Sequence, residues 1–74
     1  MDPDAAWDEF CQIADMEHVE GEDLCRAYEL ADGLVGWVSR GGFLPERMRH
    51  MGGRGFLRVV RPVLDQLEGM VFYG

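Results

Sequence analysis

The chain has 74 residues, fourteen acids against seven arginines, a net charge of −7 and a 47% hydrophobic fraction: too short for more than one domain, too apolar for wholesale disorder. A domain this small buries only about 60% of its unfolded surface, so association with a copy or a partner is an ordinary supplement to its stability. No apolar run nears the roughly 18 residues of a membrane span, the start Met1-Asp2-Pro3-Asp4 is acidic where a signal peptide is basic, and Cys11 and Cys25 lack the spacing of a zinc finger or disulfide scaffold. The expected setting is cytoplasmic, with both thiols reduced.

Asp2 before Pro3 is an N-cap with proline at the first helical position, and Ala6, Trp7, Phe10, Cys11, Ile13 and Ala14 recur at helical spacing. An amphipathic helix is predicted over about 3–18, with His18 at the negative end of its dipole. A second, over about 22–40, carries Leu24, Ala27, Tyr28, Ala31, Val35 and Val38 on one stripe and stops at Gly41-Gly42. Leu30, Leu34 and Trp37 form a narrower stripe at i, i+4, i+7, so this helix should be covered on two sides, by the last helix or by another protein. Gly33 and Gly36 flank that stripe, either to let another backbone approach or to break the helix early.

Pro45 opens a short helix over about 45–51, with Leu44, Met48 and Met51 on one side and Gly52 as its terminator. Gly52-Gly53-Arg54-Gly55 reads as a flexible loop; the alternative, an anion nest at a helix start, lacks the Lys-Ser/Thr of a phosphate loop. Phe56, Val59, Val60, Val63, Leu64 and Leu67 predict a last helix over about 56–69, kinked or restarted at Pro62, with a strand over 56–60 as the rival. The apolar Val71-Phe72-Tyr73-Gly74 either packs on the body or offers a strand to a partner.

The expected fold is therefore all-α: one small domain of three to four helices, built on an antiparallel hairpin of the first two. Its core should comprise Trp7, Phe10, Ile13 and Ala14; Leu24, Ala27, Ala31, Leu34 and Val38; and Val60, Val63 and Leu67. "AAW" near the start and "GWVSRGGFLP" over 36–45, that is W-x-x-R-G-G-F-x-P, resemble a pattern of small bacterial helical-hairpin proteins. The resemblance covers about residues 5–45 and implies the hairpin and no chemistry.

Charge is segregated: residues 1–32 hold eleven acids and Arg26, whereas 40–61 hold Arg40, Arg47, Arg49, Arg54, Arg58 and Arg61 with Glu46 as the only acid. Three uses follow. The basic segment answers the acidic hairpin within one chain or in a homodimer. The acidic face Asp8, Glu9, Asp15, Glu22 and Asp23, or the apolar pair Leu30 and Trp37, binds another protein. Or the six arginines contact nucleic acid, against which the net charge and the lack of a recognised motif both argue.

With Ser39 and two tyrosines as the only hydroxyls and no lysine, covalent catalysis lacks its groups. Cys11, His18, Cys25 and His50 are ligand types whose spacing does not gather them, so no catalytic, metal or cofactor residues are assigned. Cys11 reads as a small core residue. Depletion of Lys, Asn and Ile beside abundant Gly, Ala and Arg is what a GC-rich genome produces through codon bias. The expectation is a non-enzymatic, acidic interaction module or inhibitor from a bacterium or its phage, with a homo-oligomeric structural role and an arginine-based nucleic-acid regulator as alternatives.

Overall fold

A computed structural model describes residues 2–73. Helix α1 spans Pro3–Ala14; the Asp2 carboxylate accepts the amides of Asp4 and Ala5 at 3.1 and 3.2 Å, satisfying two donors that a helix start leaves open. It stops three to four residues short of the predicted 17–18, because Asp15 and Glu17 place negative charge at the negative end of the dipole and no base answers them. His18 consequently lies in the connecting loop, not at a helix terminus.

Helix α2, Gly21–Ser39, begins with a reciprocal cap in which the Asp23 carboxylate accepts the Glu20 amide at 3.0 Å. It runs unbroken past Gly33 and Gly36. A Cβ on Gly36 would meet only an Arg40 guanidinium nitrogen 4.0 Å away, so close backbone approach does not explain glycine there. The end of α2 is a Schellman turn: Gly41 donates to the Val38 carbonyl at 3.0 Å and Gly42 to the Trp37 carbonyl at 2.9 Å. Gly41 has φ +88°, a conformation costly for any residue with a Cβ.

A 3₁₀ helix over Glu46–Met51 follows the buried Pro45 and ends at Gly52, φ +70°. Helix α3, Gly52–Glu68, starts four residues earlier than expected: Gly52 to Gly55 are its first turn, not a flexible loop. Phe56 is wholly buried there, its ring 5.5 Å from that of Trp7 on α1, and this contact fixes the first turn. The helix continues through Pro62 without restarting, since Pro62 and Arg58 are exposed and water can reach the carbonyl that proline leaves without a donor. A π-helical turn, Gly69–Tyr73, packs Phe72 edge-on against Tyr28 at 5.3 Å, so the tail folds back on α2 and forms no strand; Gly74 lies outside the described residues.

Among the described residues there are three α-helices and no strand, and α2 is the central element against which α1 and α3 both pack. Its second stripe is the reason: Leu30 and Leu34 are buried between the other two helices with Ala27, Ala31 and Val38, and Ile13, Phe56, Val60 and Leu67 complete the core. Five expected core residues lie outside it: Trp7, Phe10 and Leu24 are half-buried and pack against it, Ala14 is exposed and Val63 is 36% exposed. No described helix is long and apolar enough to cross a membrane.

Candidate functional site

Ala14 and Val63 are exposed because they border a groove of about 170 Å³ between the end of α1, the first half of α2 and the second half of α3. Its floor is Ile13, Ala27 and Leu67, all buried; Phe10 and Leu24 form the walls, and Ala14, Val19 and Val63 the rim. The depression exists because Ala14 and Ala27 stop at Cβ where larger side chains would fill it. Every lining side chain is apolar, so an occupant here needs no buried polar group of its own.

The chain neighbours of these residues give the groove its charge. Glu9, Asp15, Glu20, Asp23 and Glu68 each adjoin a lining residue in sequence, against one arginine, Arg26. Arg26 is neutralised: its guanidinium donates two hydrogen bonds to Glu9, at 2.5 and 3.0 Å, and approaches Glu29 at 3.5 Å. The hydrogen bond to Arg26, then its charge, hold the Glu9 carboxyl below the ordinary range; the same bond raises Arg26. With Glu9 held by Arg26, and Glu20 and Asp23 by the α2 cap, Asp15 and Glu68 are the acids next in sequence to the lining that have no such partner among the described residues.

The sequence-predicted acidic face is only partly available. Asp8 is paired with Arg47 at 2.6 Å, Glu9 with Arg26, and Asp23 is occupied in capping α2. Asp15, the residue closing α1, and Glu22 stay exposed. The apolar pair is not a surface at all: Leu30 is 8% exposed, inside the core, because its stripe is where α3 docks. Trp37 is half-buried, its indole lying over Gly42 and donating from Nε1 to the Phe43 carbonyl at 2.9 Å.

Six basic residues expected as one island separate into groups. Arg47 is clamped to α1 by Asp8, and the Asp4 carboxylate accepts the Glu46 amide at 2.6 Å, so the acidic hairpin does answer the connector within this chain. Arg54, Arg58 and Arg61 recur at i, i+4, i+7 on the exposed face of α3; with Arg40 and Arg49 they form no ion pair among the described residues. Burial pushes the Cys11 thiol up, consistent with its half-buried place, while Cys25 is exposed.

One surface residue escaped the sequence reading. Phe43 is 74% exposed, yet its backbone is fixed from both sides, by the Gly41-Gly42 turn with the Trp37 hydrogen bond before it and the buried Pro45 after it. It belongs to no helical stripe, so periodicity says nothing of it; the signal available was an aromatic placed between turn glycines and a proline. Comparison with known proteins returns nothing: no protein-family model, no curated protein and no solved structure is similar to this chain, and the resemblance of "GWVSRGGFLP" gains no support from that side.

Proposed function

We propose that this chain is a small acidic protein-interaction module, acting by occupying a partner's surface and not by catalysis. The observation that supports it is the apolar groove, whose lining residues adjoin mostly acids along the chain. It suits a partner segment with one bulky apolar side chain beside lysine or arginine: the apolar group supplies affinity, and the charge steers the encounter and selects against acidic competitors. A bacterial or phage origin and a cytoplasmic site of action belong to the same reading.

Tagged wild-type protein and an Ala14→Arg variant, purified in parallel from native host extract, test this. Ala14 is exposed, so the variant should keep the helical circular dichroism of the parent while blocking the groove and adding a repelling charge. A protein retained by the wild type and lost by the variant is the expected result. Identical retention by both would refute the assignment of the groove.

A further inference from the structure

We propose that the groove also accepts Phe43 of a second copy of this chain, so that the module caps its own docking site by antiparallel self-association; this rests on the groove being a docking site. Two features complement each other. The groove is apolar and about 170 Å³ in volume, and Asp15, Glu20 and Glu68 adjoin its lining residues in sequence. A cavity of about 150 Å³ lined by leucine, isoleucine and phenylalanine takes one benzene ring, so a single phenyl group is the right size. Phe43 is such a group: 74% exposed, three residues after the unpaired Arg40 and at the start of the arginine-rich connector.

The ring is presented on backbone that is already ordered. The Schellman turn, the indole hydrogen bond to the Phe43 carbonyl and the buried Pro45 hold its backbone before any contact forms, which is what preorganised anchors achieve at interfaces. Its neighbour Leu44 is drawn halfway into the fold, so Phe43 is the projecting residue of the segment.

The ring cannot enter the groove of its own chain. Leu24 and Ala27 line the groove from the first half of α2, whereas Phe43 follows the far end of that helix, whose last residue, Ser39, is about 18–23 Å further along the axis at 1.5 Å per residue. Two copies laid antiparallel bring each Phe43 to the other's groove, giving two equivalent contacts from one self-complementary surface. Salt screens the repulsion between two copies of net charge −7 beyond about one Debye length of 8 Å, and within that distance Arg40 of one copy offsets it by facing acids of the other.

Sedimentation velocity from about 10 µM to 1 mM, a range that brackets weak association, tests the proposal. Wild type should dimerise. Phe43→Ser and Ala14→Arg should each associate about tenfold or more weakly, as loss of an interface anchor requires, with unchanged circular dichroism. Because Phe43 and Ala14 are both exposed, neither change threatens the fold. An equimolar mixture of the two variants should associate more strongly than either alone and less than the wild type, since one intact ring then meets one intact groove. A monomeric wild type, a Phe43→Ser variant that associates as the wild type does, or a mixture that stays monomeric would each overturn the proposal. Should the wild type be monomeric while host proteins are still lost on Ala14→Arg, the docking reading stands and only self-capping falls.

Discussion

Replacing Gly42 by alanine adds a methyl group where the Trp37 indole already lies. A Cβ built there falls 2.5 Å from both Cδ2 and Nε1 of the indole, well inside contact, so the ring must leave. Overpacking of this kind costs about 1–3 kcal/mol, and loss of the Nε1 hydrogen bond to the Phe43 carbonyl adds about 1 kcal/mol. A total of roughly 2–4 kcal/mol lowers the melting temperature of a domain this size by roughly 10–30 °C. Urea unfolding followed by circular dichroism measures the loss, and a double-mutant cycle with Trp37→Leu assigns it: in that background Gly42→Ala should cost much less. Equal cost in both backgrounds would refute the steric account, and Gly42 would then matter for its turn geometry alone.

Gly36→Ala should act oppositely, stabilising by about 0.5–1 kcal/mol in the same urea titration, because the site is open and mid-helical. Leu34→Ala, at a wholly buried position in the core of the central helix, should cost about 2–5 kcal/mol and show as loss of near-ultraviolet dichroism at ambient temperature. The Glu9 carboxyl is depressed in the folded state by Arg26. Its contribution is therefore complete above the unfolded value of about 4.3 and lost as pH falls through the lower folded value. Arg26→Gln should flatten the acid limb of a plot of urea midpoint against pH by slightly lowering the neutral plateau, leaving the low-pH end unchanged.

Local signals proved legible where they were chemically specific. Asp2-Pro3 marked the start of α1, and Gly41-Gly42 the end of α2, because a cap and a left-handed turn each need a particular residue type. The double stripe of α2 announced a helix covered on both sides, although whether Leu30 met its own chain or another one was decided only by the docking of α3. Periodicity misplaced Ala14 and Val63 because a helical stripe is wider than the area a small domain can cover; those at its margin become rim. The groove is invisible in sequence for the same reason, being the space that two alanines leave between three helices. Phe43 was missed because its placement depends on a turn, a tryptophan hydrogen bond and a proline acting together.

The arginines divide by what already holds them, and this division makes a last prediction. Arg47 is committed to Asp8, and Arg40 neighbours the projecting Phe43. Arg54, Arg58 and Arg61 lie on a stripe of α3 that, at about 100° per residue, is roughly opposite Val63 and Leu67 of the groove. A partner in the groove and a polyanion on that stripe would not compete for space. Three phosphate contacts give an affinity that falls with roughly the second to third power of salt concentration, and a molecule of net charge −7 adds repulsion. Labelled RNA should therefore run unretarded with this protein at physiological salt, and any retardation at low salt should vanish on changing the three arginines to glutamine. That triple variant should still self-associate, whereas Arg40→Glu should not. Retardation of RNA at physiological salt, or loss of self-association in the triple variant, would move the working surface from the groove to the exposed face of α3.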